Sequence, residues 1–322
     1  MRHPILATAL ALLACAAHAQ ADTYPSRMVT IVIPFPAGGG VDVLTRAVAA
    51  ELSRKWNQPV IVENKAGAGS LIGAGYVAKA APDAYTLMGT VNQTITTNPF
   101  LYKKLPYDPV RSFAPVQLMV QSDMLIIANP KLQASNLKEL VGLARQEPQK
   151  HNFGSFGNGS QPHLLFAQFN QRAGMDLLHV PYSGIAPLLT ALVGGEIEVT
   201  TGSAGVAGEL VKAGKLKALA VVGDQRSPMF PQVPTAAESG YLYLRASIWY
   251  ALFAPQGTSK QIIDKIHADV KEILSRPDFA EKQIDAKALR LIAGGPEQLA
   301  AAIQEETAQM AEMVKAAGVK PE

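Results

Sequence analysis

Cysteine is almost missing from this 322-residue chain: Cys15 is the only one, and it lies in the apolar run near the start. If that run is removed, disulfides and thiolate catalysis go with it. Charge of one sign is equally scarce. Lys and Arg number 29 against 26 Asp and Glu, a formal net charge of +3. That balance suits a small anionic ligand but is too diffuse for nucleic acid. Beyond the first residues no uncharged run approaches the roughly 20 residues that a membrane-spanning helix needs. Catalytic signatures are lacking too. There is no Walker A pattern and no HExxH, and Gly67-Ala68-Gly69 has its third glycine, Gly73, one place too late for GxGxxG. Gly154-Ser155-Phe156-Gly157 misses the GxSxG elbow because Phe153 stands where the first glycine should be. Ser135-Asn136-Leu137-Lys138 matches S-x-x-K without a K-T-G, and Ser135 reads as a helix cap. His151, His163, His179 and His267 have no metal-ligand spacing. No enzyme activity, metal or cofactor is expected.

What is present begins with an address. Met1-Arg2-His3 is weakly positive, Ile5 to Ala14 is apolar but short, and Ala17-His18-Ala19 fits signal peptidase. Cleavage is expected before Gln20, with a cut before Asp22 as the alternative. Leu12-Leu13-Ala14-Cys15 loosely resembles a lipid-anchor box, but Leu13 fits it poorly, so a lipid anchor at Cys15 is disfavoured. The mature chain is expected to be exported. About 300 residues remain, enough for two domains of ordinary size. Apolar residues at 48% against charged residues at 17% allow real cores and exclude disorder.

The rest alternates short β-branched runs with helical patterns. Val29–Ile33 is a strand ended by Pro34, and Leu44, Val48 and Leu52 recur at helical steps in Val41–Trp56. Further strands are expected at Pro59–Glu63, Tyr85–Met88, Met124–Ala128, His151–Gly154, Leu177–Val180, Ile197–Thr200, Leu216–Val222 and Ile248–Ala254. Helices fall between them, and Lys260–Arg276 and Pro296–Lys315 close the chain. Such alternation builds parallel sheets flanked by helices. The fold class expected is α/β in two lobes, each a mainly parallel sheet flanked by helices. Residues 1–19 are the signal, 20–121 the first part of lobe 1, 122–217 lobe 2, and 218–322 the return to lobe 1. The Pro-rich stretches Pro99–Pro115 and Pro228–Pro234 are taken as surface connections.

Ligands in open α/β sheets sit beyond the carboxyl ends of strands. Pro34-Phe35-Pro36-Ala37-Gly38-Gly39-Gly40 follows a strand and opens a helix, where backbone N–H groups can face an anion. It could equally be a steric turn, and Asp42 would compete for the same helix end or cap it. Gly154 to His163, Thr200 to Gly205 and Gly89 to Thr94 are polar strand-to-helix loops of the same kind. His163 is by default structural. Trp249, Phe156 and Tyr182 are aromatic residues in or near cleft-facing segments that could as well be core.

These residues carry a resemblance. Tyr24-Pro25-Ser26-Arg27, Pro34 to Gly40 with Asp42, Val62-Glu63-Asn64-Lys65-Ala66-Gly67-Ala68-Gly69, and Ala81-Pro82-Asp83-Ala84-Tyr85-Thr86-Leu87 occur in order. Leu105-Pro106-Tyr107-Asp108-Pro109, Gly157-Asn158-Gly159-Ser160, His179-Val180-Pro181-Tyr182-Ser183-Gly184 and Ala254-Pro255-Gln256-Gly257-Thr258 follow. Across the mature chain the sequence resembles the periplasmic solute receptors of tripartite tricarboxylate transporters, the Bug-type binding proteins. The resemblance implies a periplasmic binding protein of type II-like form, a monomeric receptor whose two lobes close on a small organic carboxylate, a dicarboxylate or an aromatic acid, for delivery to membrane permease subunits. It implies ligand contacts at Phe35, Ala37, Gly38 and Gly39, and at Ser155, Asn158, Gly159 and Ser160. Thr90, Asn92, Tyr182, Thr201, Gly202 and Ser203 complete the candidate site. Many relatives carry Asp-Asn where this chain has Gly202-Ser203. The departure implies a ligand without an amino group, since a buried cation facing glycine would go unpaired.

Overall fold

A computed structural model describes residues 24–223 and 225–321. The expected signal segment 1–19, Cys15 and both cleavage positions lie outside them. Helices and strands follow the expected order, but both sheets are mixed rather than mainly parallel, because the strands Phe113–Ala128 and Ser247–Pro255 run against their neighbours.

The first sheet contains β1 (Val29–Ile33), β2 (Val60–Asn64), β3 (Thr86–Val91), β9 (Ser247–Pro255), the first part of β4 (Phe113–Ala128) and β10 (Leu289–Gly294). β1 pairs in parallel with β2 and β3, whereas β9 runs antiparallel to β3 and β4, and β10 antiparallel to β4. Side-chain alternation feeds two cores. Val29 and Ile31 pack with Leu44, Val48 and Leu52 of α1 (Gly40–Trp56) and with Ile266 and Val270 of α8 (Lys260–Ser275). Val32 and Met88 point to the other face, against α2 (Leu71–Val77) and Leu299 at the start of α10 (Pro296–Ala317). The fully buried residues at 44, 48 and 52 give α1 its apolar stripe. Asp42 in its first turn and Arg54 and Lys55 in its last complement the helix dipole.

The second sheet holds β5 (Asn152–Ser155), β6 (Leu178–Pro181), β7 (Val199–Ser203) and β8 (Lys217–Val222). β7 and β8 run antiparallel to Met124–Ala128 of β4, and β5 is parallel to β6 and β7. Met124, Ile126 and Ala128 face α4 (Leu137–Gln146) and α5 (Gln161–Ala173), while Leu125 and Ile127 face α6 (Ile185–Gly194) and α7 (Ala204–Lys212). Two short helices, α3 (Asn98–Leu101) and α9 (Pro277–Gln283), complete the described elements.

β4 is thus one 16-residue strand shared by both sheets. Residues 113–123 pair with β9, and residues 124–128 pair with β7 and β8. The reading that placed Pro99–Pro115 in a surface connection stops too late. Pro115 lies inside β4, and its missing N–H is accommodated by a register shift between Pro115 and Gln117. The proposed return to lobe 1 at residue 218 comes too early. Lys217–Val222 still pairs within the second sheet, and the chain re-enters the first at Ser247. The last helix also departs from the expected division. Leu299 packs in the first lobe, whereas Met310, Met313 and Val314 belong to the core of the second. Finally, Asn136 rather than Ser135 caps α4, accepting from Glu139 N at 3.0 Å, while the Glu139 carboxylate accepts from Ser135 N at 2.7 Å.

Phe166 is fully buried and stacks on Phe153 with ring centroids 4.9 Å apart. Phe166→Ala should lower unfolding free energy by about 3–5 kcal/mol, since the surrounding core can only partly collapse. Urea denaturation checks this; a loss below about 1 kcal/mol would mean that this face is not tightly packed.

Candidate functional site

A cavity of about 630 Å³ lies between the lobes, within the range of small-molecule sites. The first lobe supplies Asn92 and Gln93 after β3, Leu101 and Tyr102 at the end of α3, Gln121 and Asp123 on β4, Trp249 on β9 and Arg290 on β10. Phe156, Asn158, Gly159, Ser160 and Gln161 come from the β5–α5 loop of the second lobe. Glu305, Glu306, Gln309 and Met310 of α10 form a further wall, and Arg245 to Ser247 enter from the crossover.

The β5–α5 loop is held by side chains beneath it. Ser155 is fully buried, its Oγ 2.6 Å from His179 Nε2, and it accepts from Gly157 N at 3.2 Å. His163 Nδ1 accepts from Gly159 N at 3.0 Å, so that ring is neutral and carries its proton on Nε2. The two imidazoles stack at 4.1 Å, and Phe153 stacks on His179. Ser160 Oγ closes the turn by donating to Gly157 O at 2.6 Å. Gly159 has φ +75°, and a Cβ there would come within 2.6 Å of Leu101 Cδ2 in the opposite lobe. This is a position where only glycine fits. The Ser155–His179 pair looks like half of a nucleophile–base dyad. Burial, reinforced by His163, pushes His179 down to about 4. A base that weak is poorly matched to neutral pH, and Ser155 is closed to solvent.

The first glycine loop is arranged differently. Residues 36–40 are exposed, and none of Phe35, Ala37, Gly38 and Gly39 lines the cavity. Gly38 N donates to Asp42 Oδ2 at 2.9 Å, and Asp42 also accepts from Arg46 Nε and from Asn64 Nδ2. Asp42 is 2% exposed. Burial raises its pKa, but the bonds from Arg46, Gly38 and Asn64 outweigh that, so it stays below the usual carboxylate range. The anion that satisfies this loop is the protein's own. Gly38, with φ +87°, is its left-handed glycine, whereas Gly39 has φ −70° and space for a side chain.

Of the other sequence candidates, Asn92, Asn158, Gly159 and Ser160 line the cavity. Thr90 lies buried beneath it, bonded to Thr94 Oγ1 at 2.7 Å. Thr201 is buried and donates to Gln161 Oε1 at 2.8 Å. Gly202 packs against Ala207 and Ile127, Ser203 starts α7, and Tyr182 stands outside the cavity wall. Trp249 and Phe156, named for their aromatic character, do line it.

Sequence reasoning missed Gln161, Arg290 and Glu306. Gln161 Nε2 and Arg290 Nε are buried donors with no partner. The rest of the Arg290 guanidinium donates to Asp123 Oδ1 at 2.8 Å, to Gln225 and to Arg226 O. Glu306 accepts from Asn92 Nδ2, Trp249 Nε1 and Thr96 Oγ1. Burial raises its pKa to about 7, against those three hydrogen bonds, with Glu305 adding to the rise. A signal for Glu306 was available: it interrupts the helical stripe Leu299, Ala302, Ile303, Met310, Met313, which is otherwise apolar.

The model of the tripartite tricarboxylate transporter family receptor matches residues 44–319. The chain belongs to this receptor family. The receptor is 35% identical over 306 residues to the protein BugT of Bordetella pertussis, covering 95% of this chain and 94% of that one. An R. palustris protein solved with adipate superposes with a TM-score of 0.79 at 30% identity, over 93% of this chain and all of that one. MatC from Rhodopseudomonas palustris with bound malate gives a TM-score of 0.74 at 32% identity, over 90% of this chain and all of that one. These relatives share the α/β architecture of periplasmic binding proteins. Among the described residues of the receptor no helix is long and apolar enough to cross a membrane, and no group of three or more His, Cys, Asp or Glu could hold a metal.

The depressed His179 fixes the sign of an acid effect. A histidine ordinarily near 6.5 and held near 4 in the fold contributes stability above about pH 6.5 that is lost as pH falls towards 4. Glu306 works in the opposite sense, its contribution fading as pH rises from the unfolded value of 4.5 through about 7. The melting temperature of His179→Phe, which keeps the stack, should therefore fall less than wild type between pH 6.5 and 4. Parallel curves would show that His179 takes up its proton alike in the folded and unfolded chains.

Proposed function

We propose that this receptor is periplasmic and captures a small organic carboxylate, a dicarboxylate or an aromatic acid, in the cavity between its lobes. The ligand bridges both lobes as they close, and the loaded monomer hands it to the membrane permease subunits of a tripartite tricarboxylate-type transporter. The observation that carries this reading is the pair of unpartnered buried donors. Gln161 Nε2 belongs to the second lobe and Arg290 Nε to the first, and both residues line one cavity. An unpaired buried N–H is costly, and a carboxylate offers acceptor oxygens to both at once. A ligand that satisfies a donor on each lobe binds the closed form better than the open one, which is what drives closure. Adipate and malate in the solved relatives support the carboxylate class. Asn158, Ser160, Asn92, Phe156 and Trp249 complete the polar and aromatic lining.

In this reading the Phe35–Gly39 loop contributes shape rather than its Gly38 amide, which Asp42 already occupies. Residues 36–40 stand exposed after β1.

Calorimetry with malate and adipate on unfolded, dialysed and refolded protein tests the reading. Gln161→Met and Arg290→Lys each remove one donor to a charged oxygen, a loss of about 1.5–3 kcal/mol, or about 10- to 150-fold in affinity. Binding that ignores both substitutions would place the carboxylate elsewhere.

A further inference from the structure

The charges around the cavity are settled in pairs, except one. Asp123 on β4 is matched by Arg290 on β10 at 2.8 Å, and Arg245 in the crossover has Glu305 of α10 at 3.6 Å. Glu306, on the same helix, has no cation within ion-pair distance among the described residues. Its neighbours from the other elements are the neutral Asn92 and Thr96 after β3 and Trp249 on β9. Tyr102 after α3 and Gln121 on β4 share the wall and are also uncharged. With Glu306 ionised the lining carries one net negative charge; protonated, it carries none.

The hydrogen bonds around Glu306 say what the protonated form lacks. Asn92 Nδ2 and Trp249 Nε1 can only donate to it. Thr96 Oγ1, the remaining partner, sends its own proton either to Glu306 or to Asn92 O at 3.0 Å. A protonated Glu306 has one O–H to place: Thr96 Oγ1 receives it only when that hydroxyl gives its own proton to Asn92 O, and no carbonyl or carboxylate among these partners does. A ligand carboxylate oxygen in the cavity is such an acceptor, whereas the same oxygen beside an ionised Glu306 meets a buried like charge.

Resting on the carboxylate reading above, we infer that Glu306 is a specificity-determining acid of the cavity, which donates a hydrogen bond to the ligand's carboxylate so that capture takes up a proton. The cavity then selects a carboxylate together with a proton. It discriminates against ligands whose only group at that position is a donor already satisfied elsewhere. Because burial holds Glu306 near neutrality rather than near 4.5, the proton is available at ordinary pH. The expected signature is affinity that weakens as pH rises above about 7, approaching tenfold per pH unit for one proton taken up.

The test is calorimetry with malate and adipate between about pH 6.5 and about pH 9, where both probes remain dianionic. Each titration is run in two buffers of different ionisation enthalpy, so that protons are counted directly on the wild-type protein. Uptake approaching one proton per ligand above pH 7 is the expected result. E306Q is expected to remove both the uptake and the pH dependence. Wild-type binding with no uptake, or with proton release as a cationic group would cause, overturns the inference while leaving the cavity as the site. So does a pH slope that persists in folded E306Q. Absence of binding by either probe at every pH would instead remove the carboxylate reading, and this inference with it.

Discussion

The backbone hydrogen-bond ladder of β4 is the constraint on which the rest of the receptor depends. One strand satisfies its N–H and C=O groups in the first sheet up to Asp123 and in the second from Met124 onward. Because side chains alternate along a strand, a slip of one residue would turn each buried side chain of β4 from one core to the other. The two cores are therefore tied together at this point. The crossover after Val222 and the helix α10 are the other ties. α10 has its start in the core of one lobe and its end in the core of the other.

This geometry explains how the polar loops are used. Main-chain amides at strand-to-helix turns are natural anion sites, but here key ones are already committed. Gly38 N serves Asp42, Gly157 N serves Ser155, and Gly159 N serves His163. What stays uncommitted in the cavity wall is side-chain chemistry, Gln161 Nε2 and Arg290 Nε. Recognition by side chains is easily retuned from one relative to another, which suits a family whose solved members hold ligands as different as malate and adipate.

Much of the fold was legible in the sequence because it is written locally. β-branched runs, helical spacing and the carboxyl-end loops gave the order of elements and the two-lobe class. The errors had specific causes. Pro115 looked like a connection because proline seldom enters a strand, and only the register shift of β4 on β9 makes room for it. Leu289–Gly294 was missed because its burial is partial and gives little alternation. Asn136 took the cap expected of Ser135 because Glu139 reaches back to the Ser135 amide. Of the cavity lining, Asn92, Asn158, Gly159 and Ser160 were legible because polar and glycine residues cluster visibly in the chain. Gln161 and Arg290 matter only through what their neighbours leave unpaired.

By itself the sequence determined the class of protein, its alternating architecture and one wall of its cavity, since periodicity and turn chemistry act between residues close in the chain. Only the tertiary structure decided which charges cancel. Asp42 is absorbed by Arg46 and Asn64, and Asp123 by Arg290. Glu306 is placed among donors drawn from β9 and the turn after β3, with no cation to match it. The energy of a buried charge depends on distance and on the solvent removed around it. Both quantities are set by segments as far as 214 residues apart in the chain, and nothing in the local pattern encodes them.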